Sequence, residues 1–359
     1  MSCFPERLLT QPLFTVPQEE KEKTLLPALV ALTEHHRKAC PAYARMVDGA
    51  FELSIQSMAD VPYLPVSLFK NRLLSSVPQE DVRVTIKSSG TTGMARSQIQ
   101  MDKETARLSS TCLAATLKEL IGKTRLPLLL ADTEAALSPS MDMGARAAAL
   151  LGIMPFGRDP TFMLKPDLTL DQEKLEGFMR RYADAPFLIY GFTFLVWLGL
   201  LPAAQALGLD LSKAVLLHSG GWKTLAEKAV SREQFNQTLK QATGLSRIIN
   251  FYGMAEMPGV IFAENEDGLL YPPAFADVIV RDPLSFAPVA EGETGVVQVL
   301  STIPHSFPGH AILTEDLGMI VKTDNGANGW KGHGLRLLGR LPKAELRGCS
   351  DVIAQAQKG

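Results

Sequence analysis

The stretch Val84–Gln100, VTIKSSGTTGMARSQIQ, governs how the rest of the chain reads. β-branched residues at Val84, Thr85 and Ile86 lead into Ser88-Ser89-Gly90-Thr91-Thr92-Gly93, and Ser97-Gln98-Ile99-Gln100 resumes a polar/apolar alternation. That pattern predicts a strand, a Gly/Ser/Thr loop and a second strand. Such a loop suits phosphate. Its two glycines let the backbone approach a polyanion, its four hydroxyls donate hydrogen bonds, and consecutive N–H groups can form an anion nest. It is not a Walker A loop, because no Gly-Lys-Ser/Thr follows four residues after a Gly and no helix opens directly behind it. Taken alone, it is also compatible with an ordinary polar hairpin turn.

A chain of 359 residues with 46% apolar content can hold one large α/β domain or two smaller ones around a substantial core. The formal net charge of −2, without a basic tail or a Lys/Arg run, leaves no electrostatic footprint for nucleic acid or an anionic membrane. Glu6 and Arg7 precede any apolar stretch long enough to be a signal h-region, so a cytoplasmic location is expected. Cys3, Cys40, Cys112 and Cys349 lie far apart with no CxxC, which suggests neither a zinc site nor a disulfide framework. Pro186–Leu207 is apolar for about the twenty residues a bilayer requires. Gly191 and Pro202 interrupt it, and it reads better as a buried strand Phe187–Tyr190, a turn, and a helix from near Thr193 that ends before Pro202.

Residues 19–47 read as the first strong helix, acidic in its opening turns and apolar along one face. His35 and His36, near its end, point about 100° apart and are assigned to solvent and helix-end charge. Asp102 is an N-cap candidate for a long helix reaching Ile121-Gly122. Within that helix Cys112 reads as a small buried hydrophobe, since no basic neighbour favours its thiolate. Strands and helices then alternate: Leu126–Ala131, a helix near Asp142–Leu151, the strand and helix above, Ala214–His218, a helix Thr224–Thr243, and Ser246–Phe251. This alternation argues for βαβ units and a largely parallel sheet. Beyond about residue 268, prolines, short β-rich runs and the turn signals Asn325-Gly326 and Asn328-Gly329 suggest a smaller β subdomain. The expected division is an α/β core over residues 1–267 and a β-rich subdomain with a short tail over 268–359.

Ser88–Gly93 is followed by Phe251-Tyr252-Gly253-Met254-Ala255-Glu256, then Thr314-Glu315-Asp316-Leu317 and Gly339-Arg340. In order and spacing these segments resemble the core motifs of the adenylate-forming superfamily. Pro65–Lys70 (PVSLFK), His218–Lys223 (HSGGWK), Pro308–Leu317 (PGHAILTEDL) and Leu346–Ser350 (LRGCS) resemble one branch of it. That branch is the bacterial acyl-protein synthetases, the fatty-acid-activating component of the luminescence fatty acid reductase complex. The resemblance spans nearly the whole chain and implies the α/β fold of the superfamily's N-terminal domain, with ATP and Mg²⁺ as cofactors and a small-molecule carboxylic acid as substrate.

Residue by residue, the resemblance implies that Ser88, Ser89, Gly90, Thr91, Thr92 and Gly93 wrap the β- and γ-phosphates. Arg96 stands near the place of the family's usual Pro-Lys. Tyr252, with Gly253 and Met254, matches the segment whose aromatic residue contacts adenine; Glu256 matches the Mg²⁺ ligand. Ala255 replaces the usual Thr, so a hydroxyl contact is missing. Asp316 corresponds to the acceptor of the ribose hydroxyls, for which an ionised carboxylate has the right acceptor pair, and Arg340 to a second nucleotide contact. His218-Ser219-Gly220-Gly221 ends a predicted strand, where open α/β sheets bind ligands. Gly220 and Gly221 would let adenine lie against the backbone; His218 has both a substrate or phosphate contact and a purely structural role open to it. For Trp222-Lys223 no mechanism offers itself.

Only nineteen residues follow Arg340, where most adenylating enzymes carry a mobile C-terminal lid domain with a catalytic Lys. In the acyl-protein synthetases, which resemble this chain in being short, the acyl group passes from the adenylate to a cysteine close to the C-terminus, and Cys349 occupies that position. Lys343 and Arg347 lie near it in sequence and would favour the thiolate nucleophile. An idle cysteine in a terminal strand is the alternative. Three readings stand: an ATP-dependent acyl-protein ligase that charges its own Cys349, an acid–thiol ligase serving coenzyme A or an acyl carrier protein, and a nucleotide-binding regulatory subunit without catalysis. An acyl reductase, an acyltransferase or an acyl carrier protein is the implied partner. Apolar residues in Tyr190–Trp197 and Met254–Val260 either line an acyl tunnel or pack the core, with the core favoured.

Overall fold

A proline ends the first helix early. The residue before a proline is pushed out of the helical region, and Cys40, before Pro41, has φ −121° and ψ 94°. The helix expected over residues 19–47 is therefore two, Gln18–Ala39 and Pro41–Ala50. The chain then forms a short strand, Leu64–Pro65 (β1), and the two strands expected around the glycine-rich loop, Val84–Lys87 (β2) and Gln98–Met101 (β3), which pair antiparallel. The structure, a computed structural model, describes residues 4–87, 97–138, 145–222 and 229–341. It divides into two compact units, one built from Met1–Thr116 with Met254–Gly359 and the other from Leu117–Gly253. The compositional change near residue 268 falls inside the first unit.

Helix Lys103–Ile121 begins as expected, with the Asp102 carboxylate accepting from the Thr105 amide at 2.8 Å. Cys112 within it is fully buried, and burial pushes its thiol up to about 12. In the second unit, Leu126–Thr133 (β4), Gly157–Leu164 (β5), Phe187–Phe192 (β6), Ala214–Ser219 (β7) and Arg247–Tyr252 (β8) pair in parallel in the order β5-β4-β6-β7-β8. Continuous apolar runs such as Leu128–Ala131 and Phe187–Tyr190 are buried throughout, as strands covered on both faces require. Leu129, Ile189, Leu216, Phe178 and Phe235 share one core.

Pro202 does not end the helix after β6. A π segment, Val196–Leu200, lies between Thr193–Leu195 and Leu201–Leu207. A proline inside a helix has no N–H to donate to the carbonyl four residues back, and a π segment directly before it is one of the known ways a helix accommodates such a break. Of the stretch expected as a helix, Thr224–Thr243, residues 224–228 lie outside the described residues, and the helix Arg232–Thr243 is capped by the Ser231 hydroxyl, which accepts from the Gln234 amide at 3.1 Å. Among the described residues, no helix is long and apolar enough to cross a membrane.

The chain returns to the first unit through Phe262–Glu264 (β9), Leu270–Tyr271 (β10), Ala276–Arg281 (β11), Thr294–Ser301 (β12), Ala311–Thr323 (β13) and His333–Arg340 (β14). These pair antiparallel in the order β11-β12-β13-β14-β10-β9, and the Asn325–Gly329 turn signals join β13 to β14. β1 adds itself parallel to β13, with Leu64 opposite Ile312 and Pro65 opposite Leu313.

Buried polar groups tie the unit's two segments together. Asp277 on β11, fully buried, accepts from Gln18 Nε2 at 2.7 Å and faces Lys21 Nζ at 3.5 Å and His333 Nδ1 at 3.2 Å. Burial opposes its ionisation, but the charges of Lys21 and His333 outweigh that and hold the carboxyl well below the usual range.

His36 is not in solvent, and His35 is half-buried. His36 is fully buried, with Nδ1 2.7 Å from Ser76 Oγ, Nε2 3.0 Å from the Pro304 carbonyl and its ring stacked on His310. His35 stacks on His305 and reaches its carbonyl oxygen at 2.9 Å. The helix face that carries them is covered by residues 304–310, a contact between segments far apart in sequence.

These groups set the response to acid. Burial lowers His310 to about 3 and His36 well below its ordinary 6.5. Below pH 6.5 the unfolded chain binds protons at these sites while the native protein does not, so stability falls, by up to about 1.4 kcal/mol per pH unit for each proton. Asp277, also depressed, withdraws its contribution at lower pH still. His333 acts in the opposite sense. The field of Asp277 overcomes its desolvation and raises it, so its contribution is full below 6.5 and is lost as pH rises through the raised value. The melting temperature is therefore expected to peak near neutrality and to fall steadily below about pH 6, with a shallower acid slope in His310→Gln.

Candidate active site

In the first unit, β2 and β3 run in register from Val84 opposite Met101 to Lys87 opposite Gln98, and so carry the chain into and out of the Ser88–Gly93 segment. Ser88–Gly93 and Arg96 lie outside the described residues, as does Cys349. Ser97, the first described residue after the loop, is fully buried, and its side chain acts on the Glu256 carboxyl to favour the ionised form. Glu256 itself is 4% exposed. Burial raises its pKa; the Ser97 side chain, its own amide and the charge of Lys70 pull it down, Glu315 pushes it up, and the net shift is upward. A buried carboxylate whose surroundings undercompensate its charge gains from an arriving cation. Among the described residues, no three His, Cys, Asp or Glu side chains converge as a metal cage. Glu256 therefore fits Mg²⁺ as one carboxylate donor to an ion that keeps waters and phosphate oxygens for its other ligands.

Two expected contacts prove to be neighbours. Asp316 on β13 sits directly opposite Arg340 on β14, with Arg340 Nε 3.5 Å from Asp316 Oδ1. Arg340 is 78% exposed, so this pair contributes little stability. Next to it, Lys70 Nζ lies 3.4 Å from both carboxylate oxygens of Glu315. After Glu256 the chain turns at Gly259, whose φ is +85° and where a Cβ would come within 2.6 Å of the Ser109 backbone.

In the second unit, the carboxyl ends of β6, β7 and β8 lie side by side, Gly191 and Asn250 flanking His218, Phe192 and Phe251 flanking Ser219. Thr193 Oγ1 donates to the Ser219 carbonyl at 3.2 Å and lies 3.0 Å from His218 Nδ1. With the hydroxyl proton committed, Nδ1–H is the donor and Nε2 is left as acceptor. Burial, then the charge of Arg232, lowers His218 to about 3, so the ring is neutral at neutral pH and has no cation to offer phosphate. Gly220 needs its glycine, with φ +81° and Phe192 3.2 Å from a notional Cβ, whereas a Cβ at Gly221 would meet nothing within 4 Å. Trp222 packs edge-on against Trp197 at 6.0 Å on the unit's core, which accounts for it without chemistry. Tyr190, Leu195 and Val196 are buried in the same unit, and Met257 and Val260 are buried in the first. Tyr252 closes β8, Gly253 follows it, and Met254 opens the return to the first unit.

Sequence reading missed Ser97, Thr193 and the Lys70–Glu315 pair. Lys70 and Glu315 lie inside PVSLFK and PGHAILTEDL, but only the pairing of β1 with β13 relates those segments. Ser97 and Thr193 are single hydroxyls with no local signal.

A family model described as acyl-protein synthetase, LuxE, matches residues 5–358. The long-chain-fatty-acid–luciferin-component ligase of Aliivibrio fischeri is 24% identical over 95% of this chain and 91% of that protein. The protein of the same description from Vibrio harveyi is 22% identical over 84% of this chain and 79% of its own length. Among solved structures, 2-hydroxyisobutyryl-CoA ligase in an open conformation with 2-HIB-AMP and CoA superposes with a TM-score of 0.72 at 17% identity, covering 95% of this chain and 79% of that one. That likeness establishes the fold, an α/β architecture with a mixed sheet shared with acyl-CoA ligases.

Gly259→Ala is expected to cost about 3 kcal/mol or more, because a positive φ and a collision with backbone add together. Equilibrium denaturation measures the loss. A change below about 0.5 kcal/mol, the scale of an ordinary surface substitution, would mean that this turn is not held as described.

Proposed function

The chain belongs to the acyl-protein synthetase family, AMP-forming acid–thiol ligases, and on that premise we propose that it activates a fatty acid with ATP and passes the acyl group to its own Cys349. The supporting observation is the buried Glu256, whose raised pKa leaves its charge undercompensated and which the side chain of Ser97, the first described residue after the Ser88–Gly93 segment, helps to ionise. In the first half-reaction a carboxylate oxygen of the acid attacks the α-phosphorus. The bond from that phosphorus to the bridging oxygen breaks, and pyrophosphate leaves with its electron pair, giving acyl-AMP. In the second, the Cys349 thiolate attacks the acyl carbonyl and AMP departs, leaving a thioester on the chain.

Bringing two anions together makes charge neutralisation the main demand. Ser88–Gly93 supplies amides and hydroxyls to the β- and γ-phosphates, with Arg96 adding charge. Glu256 would hold Mg²⁺, which would supply positive charge to the phosphate oxygens. Asp316 accepts from the ribose hydroxyls beside Arg340. Tyr252, Gly253 and Met254, with Gly220 and Gly221, take adenine, and His218 serves as a neutral acceptor through Nε2. The fatty acid is proposed from what the two relatives are named for, and an acyl reductase is the matching partner for the charged protein. Coenzyme A, held by the solved neighbour, is the alternative acceptor.

Acid-dependent exchange of pyrophosphate into ATP tests the first half-reaction. Asp316→Ala is expected to weaken nucleotide binding by about 1–3 kcal/mol, the loss of charge-assisted hydrogen bonds. Glu256→Gln should leave that affinity largely intact and slow exchange, since its role grows as charge redistributes on the phosphates. Unchanged nucleotide affinity and exchange rate in both variants would remove the adenylation reading.

The acceptor is tested separately. In Cys349→Ser exchange should persist while labelled acyl-protein, released from wild type by neutral hydroxylamine, disappears. Labelling that appears only when coenzyme A or a carrier protein is supplied would transfer the acceptor role to that thiol.

A further inference from the structure

Lys70 belongs to a motif to which the reading above assigns no work, and its surroundings suggest one. PVSLFK is pinned at both ends. Pro65 pairs with Leu313 on β13, and the Val66 amide donates to the Leu313 carbonyl at 2.9 Å. Phe69, fully buried, sets its ring edge-on to Phe307 at 6.3 Å. Between these anchors the turn Leu68–Asn71 delivers Lys70 to Glu315, two residues along β13 from the ladder contact. The ammonium sits 3.4 Å from both oxygens of Glu315, longer than the roughly 2.7–2.9 Å of a tight charge-assisted bond. Its side chain remains 30% exposed. Its charge reaches Glu256, where Lys70 and Glu315 act in opposite senses. One loosely held cation thus pairs with Glu315, and its field also reaches the buried Glu256.

We propose that Lys70 is a catalytic cation of the adenylation half-reaction, parked on Glu315 in the free protein and turned to the triphosphate when Mg·ATP takes Glu256. This rests on the adenylation reading. Glu256 claimed by Mg²⁺ no longer needs the field of Lys70, and the incoming phosphates carry more negative charge than Glu315. A flexible four-carbon stem lets the ammonium change partners without moving the anchored backbone. No proton or covalent bond is exchanged by Lys70. It offsets the charge that develops on the leaving pyrophosphate oxygen as the bond to the α-phosphorus breaks.

The test compares Lys70→Met, Lys70→Arg and Glu315→Gln with wild type, by calorimetric binding of Mg·ATP, acid-dependent pyrophosphate exchange and thermal melting. Lys70→Met is expected to lower the exchange kcat by about 100-fold, the scale for losing one preorganised charge partner. It should also weaken Mg·ATP binding, while melting near the wild-type temperature. Lys70→Arg should recover most of the rate. Glu315→Gln frees the ammonium, so Mg·ATP should bind at least as tightly as to wild type, an effect that a purely structural ion pair would not produce. Equal loss of melting temperature in Lys70→Met and Glu315→Gln with unchanged binding and exchange would reduce the pair to a structural contact. Weaker binding in Glu315→Gln would also overturn the parking role. A wild type that binds Mg·ATP but shows no acid-dependent exchange sinks the adenylation reading itself, and binding to Lys70→Met then decides alone whether this lysine meets phosphate. Absence of Mg·ATP binding in wild type overturns both.

Discussion

A buried carboxylate joins two stretches of chain that are more than two hundred residues apart. Asp277, fully buried, gathers Gln18 and Lys21 from the first helix and His333 from β14. Each partner alone would be costly to bury, and losing any one leaves an uncompensated charge or donor. The same joining is repeated by milder means: His36 on the Pro304 carbonyl, the Ser306 hydroxyl on Asp102 at 2.7 Å, and β1 laid along β13. The first unit exists because its N-terminal helices and hairpin are held to its C-terminal strands.

The chemistry of the first unit follows from that joining. Ser97 comes from the hairpin and Glu256 from the returning chain; Lys70 comes from the N-terminal segment and Glu315 from β13. Asp316 and Arg340 meet because adjacent strands place them opposite each other. The buried carboxylate of Glu256, whose charge its surroundings undercompensate, is unfavourable by itself and would become favourable beside Mg²⁺ and polyphosphate. Its stability and its proposed work therefore pull against each other, as is common where ligands supply the missing charge.

The second unit contributes a different chemistry. Its parallel strands end in neutral groups: the imidazole of His218 locked by Thr193, the rings of Phe192, Phe251 and Tyr252, and the left-handed turn at Gly220. Such an edge suits a flat, uncharged surface better than a phosphate. Trp222, distinctive in the sequence, proves to be part of the packing beneath it.

By itself the sequence determined the elements whose signals are local. The strands β2 and β3, the cap at Asp102, most of the alternation of strand and helix from Leu126 to Tyr252, though not β5 or the helix Gln172–Tyr182, and the Asn-Gly turns of the last strands follow from periodicity and turn chemistry within a few residues. The order of motifs was legible for the same reason and carried the family. Tertiary structure alone decided what lies next to what. It buried His36, carried the helix past Pro202 through a π turn, neutralised His218, and set Lys70 on Glu315. Each of these depends on burial or on a partner far along the chain, and the energy of a buried charge or hydrogen bond is set by surroundings that no local window contains.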